Sequence, residues 1–131
     1  MNMSEFAGEI CTNIELNQFA RILIRNGIRT KIHLSSFFEG GAYIRVEEGA
    51  TEFFLENIGE EYHARGCASS VDRMYQAANK VSQVLISFDI CHAFELYDES
   101  GEIIHYLHHN CPPQLEVETS SRKSRKRQIK P

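Results

Sequence analysis

Apolar side chains recur along this chain with two different periods, and the order in which the periods alternate is what most restricts the fold. From Thr12 to Asn26, Leu16, Phe19, Ala20, Leu23 and Ile24 return at helical spacing. Thr12-Asn13-Ile14-Glu15 has the form of a capping box, in which the hydroxyl accepts from the Glu15 amide while the carboxylate reaches back. Asn26-Gly27 supplies a left-handed stop. A second helical stretch begins near Ser69, with Asp72 three residues on, and carries Val71, Met74, Tyr75, Ala78, Val81 and Leu85 on one face.

Between and after these stretches the period is two. Thr30, Ile32, Leu34 and Ser36 alternate with Arg29, Lys31, His33 and Ser35, Glu39-Gly40-Gly41 turns the chain, and Tyr43 to Glu47 and Glu52 to Leu55 read as two more strands. From Glu56 to Gly66 the alternation fades into what reads as a polar loop. Beyond the second helix, Phe88, Ile90, Phe94 and Leu96 alternate toward a core, Asp98-Glu99-Ser100-Gly101 turns, and Ile103, Ile104, Tyr106 and Leu107 return. If Tyr97 pairs with Glu102, the outer face of this hairpin carries Glu95, Tyr97, Ile104 and Tyr106. The expected fold is therefore α+β: two amphipathic helices packed on an antiparallel sheet of five or six strands, in the order α-βββ-α-ββ(β).

A length of 131 residues with 42% hydrophobic and 24% charged side chains is enough for one domain with a real core. No apolar run approaches the roughly 20 residues that span a bilayer. Met1 to Glu9 has neither a basic nor an apolar leader segment, so the expected location is the cytoplasm, or the nucleus in a eukaryotic host. Cys11, Cys67, Cys91 and Cys111 lie far apart and read as thiols rather than a disulfide framework.

Charge divides the chain in two. Residues 1–117 hold 17 acidic side chains against 8 basic ones and form an acidic domain, whereas residues 118–131 carry Arg122, Lys123, Arg125, Lys126, Arg127 and Lys130 against Glu118 alone. Asn110-Cys111-Pro112-Pro113 ends regular structure, and the segment after Val117 has too few apolar residues to offset its ordering entropy, so a disordered basic tail is expected.

The residues that could carry chemistry form incomplete sets. Cys67, just before the second predicted helix, is the best candidate nucleophile, because a helix N-terminus lowers a thiol pKa; His63, His92 or His105 could act as its base. A cysteine at a helix start followed by a sheet bearing histidine resembles the general layout of papain-like and NlpC/P60-type cysteine hydrolases, which would imply a small hydrolase or transferase. Cys91, His108 and Cys111 are candidate zinc ligands by residue type, although no CxxC or HExxH spacing accompanies them. The glycines form neither a GxGxxG nor a P-loop, and no cofactor is expected.

Surfaces are more complete than reaction centres. Glu39, Glu47, Glu48, Glu52, Glu56, Glu60 and Glu61, opposed only by Arg45, should give one meander a negative field that attracts proteins built to hold a nucleic-acid backbone. Tyr97, Ile104 and Tyr106 form an aromatic strip suited to a partner or a homodimer. The leading expectation is a non-enzymatic interaction module, a stoichiometric inhibitor or adaptor for a protein that handles nucleic acid. Small acidic inhibitors of viruses and mobile elements share this composition. A second expectation is weak, non-specific nucleic-acid binding anchored by the tail, with Arg21, Arg25, Arg29 and Lys31 as a further patch. The Cys67 enzyme is the third.

Overall fold

A computed structural model describes residues 3–34, 41–48 and 51–110. Over these the chain runs β1 (Ser4–Cys11), α1 (Leu16–Arg25), β2 (Thr30–Leu34), β3 (Ala42–Val46), β4 (Glu52–Ile58), β5 (Glu61–Ala68), α2 (Val71–Ser87), β6 (Cys91–Tyr97) and β7 (Ile103–His109). The α+β class holds, with two helices on an antiparallel sheet. The sheet has seven strands rather than five or six, in the order β2-β3-β4-β5-β1-β6-β7. The Glu39-Gly40 turn, Cys111 and the basic segment 118–131 lie outside the described residues.

Two strands account for the difference, and both are disguised by small side chains. β1 is an interior strand, fifth of the seven, bonded to β5 on one side and β6 on the other. Its inward positions are Ser4, Phe6, Gly8 and Ile10, of which only two are large and apolar. β5 replaces the expected polar loop, with Tyr62, Ala64, Gly66 and Ala68 inward and Glu61, His63, Arg65 and Cys67 outward. The glycines are dictated by packing. A methyl on Gly66 would lie 2.7 Å from a Phe6 ring carbon and closer still to the Glu52 carbonyl oxygen, and one on Gly8 would lie 2.6 Å from a Phe94 ring carbon. The space a β strand usually gives to side chains is filled here by three phenyl rings, with Phe6 at 4.5 Å from Phe53 and 5.8 Å from Phe94 between centroids.

The helices keep their expected places with different caps. Helix α1 starts later than the capping box implied. Glu15 is the N-cap and accepts from the Gln18 amide at 3.3 Å, while Thr12 Oγ1 accepts from the Ile14 amide at 3.4 Å. At its end Gly27 has φ of 86°, and the Ile28 amide donates to the Leu23 carbonyl at 3.0 Å, closing a Schellman turn that buries Ile28. For α2 the cap is Ser70, which accepts from the Arg73 amide at 3.2 Å.

Both helices pack on one side of the sheet, α1 over β2 and β3 and α2 over β5, β1, β6 and β7. Phe19, Leu23, Met74, Val81 and Leu85 from the helices meet Ile10, Ile44, Phe53, Leu55, Phe94 and Leu96 from the sheet in one core. The Tyr62 hydroxyl donates to the Ile14 carbonyl at 2.5 Å, and burial with the nearby Glu15 charge pushes the phenol up to about 12. At the β2 edge the cover runs out: Ile32 and Leu34, expected to point into the core, pair with Ile44 and Ala42 on the helical side but are 38% and 85% exposed. Among the described residues, no helix packs on the opposite face.

Candidate functional site

The uncovered face is a surface built by strand alternation, so its composition follows from register. One row crosses all seven strands as Lys31, Arg45, Phe54, Arg65, Ala7, Glu95 and Tyr106. The neighbouring rows bring Glu56, His63 and Glu9 side by side, and Glu52, Cys67, Glu5 and Tyr97 likewise. The face is thus polarised. Its β2–β4 edge is basic and aromatic, with the Tyr43 ring 5.4 Å from His33 and 5.5 Å from Phe54, and the Arg45 guanidinium 5.5 Å above Phe54. Its centre, from β4 to β6, is acidic.

That acidic centre differs from the sequence-based expectation in membership. Glu52, Glu56 and Glu61 belong to it, joined by Glu5 and Glu9 from the unforeseen β1 and by Glu95 from β6. Glu47 and Glu48 do not. They follow β3: Glu48 turns to the body and pairs with Lys80 of α2 at 3.2 Å, whereas Glu47 stays at the basic β2–β3 edge, 4.0 Å from Lys31. Glu60 is exposed in the tight turn between β4 and β5. Of the hairpin strip, Tyr97 and Tyr106 stand on the open face, but a register shift at Leu96/Tyr97 puts Ile103, not Glu102, opposite Tyr97. The Tyr97 hydroxyl donates to Glu95 at 2.5 Å, and burial together with that carboxylate pushes its phenol upward.

Cys67 does not sit where a helix could activate it. It lies on β5, three residues before the α2 N-cap, with its thiol on the open face between Glu5 and Glu52. Burial, then the Glu52 and Glu5 charges, raise its pKa, the reverse of the expected direction. The histidines are not gathered around it. His63 shares its strand and face four residues away, about 13 Å along a strand. His92 is fully buried on the helical face, and His105 lies 4.6 Å from Tyr75 of α2 on that same side.

His92 belongs instead to a buried polar pair. Its Nδ1 lies 2.9 Å from the Ile90 carbonyl, which can only accept, so Nδ1 carries the proton and the Ser82 hydroxyl donates to Nε2 at 2.7 Å. Burial holds the imidazole below its usual pKa, and His109 and His108 add to the effect against the hydrogen bond from the ring to Ile90. Of the candidate zinc set, Cys91 donates its thiol to the Asn110 carbonyl at 3.2 Å, His108 stacks on Tyr106 at 4.6 Å, and Cys111 lies outside the described residues. The described residues with metal-ligand spacing are Glu9, Glu61 and His63, whose ligand atoms lie within 4.8 Å of one another, His63 Nε2 being 2.8 Å from Glu61. Two carboxylates and an imidazole suit a borderline divalent cation. No helix among the described residues is long and apolar enough to cross a membrane.

No family model, curated protein or solved structure matches this chain.

Proposed function

We propose that the chain is a non-enzymatic interaction module that presents the open face of its sheet to a basic protein partner, as a stoichiometric inhibitor or adaptor for a protein that handles nucleic acid. The observation that carries this reading is the one-sided placement of both helices. It leaves a broad face with Glu5, Glu9, Glu52, Glu56, Glu61 and Glu95 at its centre and Tyr97 and Tyr106 beside them. Carboxylates on a fixed lattice steer a cationic partner, and half-buried tyrosines supply the contact area that anchors it. The location we propose is the cytoplasm, or the nucleus in a eukaryotic host.

The test compares the full chain with a Glu9→Gln, Glu56→Gln, Glu95→Gln variant as baits for nuclease-treated lysate, followed by titration of each retained protein. A basic protein bound one to one by the unaltered chain, displaced from its nucleic acid and lost by the variant, supports the reading. Equal retention by both baits, or capture that vanishes with nuclease, sinks it.

A second reading is favoured by the Tyr43 and Phe54 rings with Arg45, Arg65 and Lys31 on adjacent strands of the same face. Stacking rings among phosphate-binding cations form the chemistry of single-stranded nucleic-acid platforms, here assisted by the basic tail. Binding of a fluorescent single-stranded oligonucleotide that weakens with Tyr43→Ala and falls steeply with salt would move the assignment to this reading.

A further inference from the structure

We propose that the chain's own basic segment, Arg122 to Lys130, docks on the acidic centre of the open face and competes there with the basic partner. The inference rests on the reading of that face as the contact surface. Three observations carry it. The first is charge complementarity within one molecule, since the sequence puts six cations between Arg122 and Lys130 while the open face gathers Glu9, Glu56 and Glu61 in a body of strongly negative formal charge.

The second is where the chain leaves the sheet. β7 ends at His109, opposite His92 at the start of β6; beside it Cys91 pairs with Cys11 at the end of β1, and Ile10 pairs with Tyr62 at the start of β5. This is the end of the sheet that holds Glu9, Glu61 and His63. Cys91, an open-face residue, donates its thiol to the Asn110 carbonyl at 3.2 Å and the Asn110 side-chain amide donates to Asp89 at 2.9 Å, so the last described residue is held at this end of the sheet. The third is reach. From β7 to β5 is three strand spacings, about 15 Å, while the stretch from Asn110 to Arg122 can extend to about 40 Å. A tether of that length holds its cations at an effective concentration of about a millimolar at the face. Multiple pairings at that concentration persist where single surface ion pairs would be screened.

The experiment is carbodiimide cross-linking of the full chain alone, at low salt, with peptide mapping by mass spectrometry. A zero-length amide then joins an amine to a carboxylate only where the two are in contact, with loss of water activated by the carbodiimide. The Lys80–Glu48 pair, 3.2 Å apart, serves as the internal control for folding and coupling. The expected result is links from Lys123, Lys126 or Lys130 to Glu9, Glu56 or Glu61 within one chain. They should fall at least tenfold at about 1 M salt, where the screening length is about 3 Å, while the control link remains. Links spread equally over Glu15, Glu99 and Glu102, no tail links beside an intact control, or links found only between differently labelled chains would each overturn the proposal. Because no partner takes part, failure here leaves the partner reading standing, and failure to find a partner leaves these links unexplained by it.

Discussion

Each strand of the sheet sends alternate side chains to the helical face and to the open face, and the two sets are held by different forces. On the helical face Phe94, Phe53, Leu55, Ile44 and Ile10 are fully buried, and the buried Ser82 and His92 hydrogen-bond each other. On the open face the same strands place charged, aromatic and sulfur side chains that are half-buried or exposed, held by neighbours in the plane of the sheet. The difference teaches where stability and recognition reside. Burial of apolar area stabilises the fold from one side, so the other side is free to be shaped by what it contacts.

The largest expected effect tests that division directly. Phe94→Ala should cost about 3–5 kcal/mol, because a fully buried ring leaves a cavity that the sheet cannot collapse. Phe54→Ala, on the open face, should cost less than half as much. Urea denaturation of the two variants decides it, and similar losses would mean that the open face is covered after all. Next comes Gly66→Ala, which inserts a methyl against the Phe6 ring and the Glu52 carbonyl. Overpacking of this kind costs about 1–3 kcal/mol, and β4 or β5 must shift to accept it. A neutral result would show that the Phe6–Phe53–Phe94 cluster is looser than its contacts imply.

The buried pair makes the helical face sensitive to acid. Because the folded state holds His92 below its ordinary pKa, the unfolded chain binds the extra proton first. Stability is therefore full above about pH 6.5 and declines as pH falls below it toward the folded value. Denaturant midpoints at pH 8 and pH 5 should show this decline, and His92→Gln should reduce it. Ser82→Ala should cost about 1–3 kcal/mol at pH 8 by leaving Nε2 without its donor. An unchanged midpoint in that variant would mean that the pair contributes nothing to the core.

Much of the helical face was legible in the sequence and rather less of the open one. Helices α1 and α2 announce themselves because long apolar residues recur at three and four, and the β6–β7 hairpin because Asp98 and Gly101 mark its turn. β1 and β5 do not, since their inward positions include Ser4, Gly8, Ala64 and Gly66, and the absence of a side chain at Gly8 and Gly66 makes sense only once the rings of Phe94 and Phe6 lie against them. Missing β1 had a consequence for the site. Glu52, Glu56 and Glu61 were visible as acidic residues, but Glu5 and Glu9 joined them only through pairing across some 60 positions of sequence, which no local pattern carries. Missing β5 in turn misplaced Cys67, whose position at a loop–helix junction dissolves once Gly66, Cys67 and Ala68 continue a strand.

The smallest expected effects lie on the open face itself. Replacing Glu9, Glu56 and Glu95 by glutamine removes charge without volume, and each of these side chains is at least partly in water, so the denaturation midpoint should move by no more than about 0.5 kcal/mol per site. Cys67 responds to the same carboxylates. With its thiol held up by burial and by Glu52 and Glu5, it should alkylate with iodoacetamide more slowly at pH 7 than an unstructured peptide thiol, and Glu52→Gln should quicken the reaction. A Cys67 faster than the peptide thiol would reveal a cation near it that the strand register does not provide, and would return the enzyme reading to consideration. Slow alkylation relieved by Glu52→Gln, with stability unchanged, would instead place the negative potential of the open face at a measurable atom, the one a basic partner would meet at the centre of the sheet.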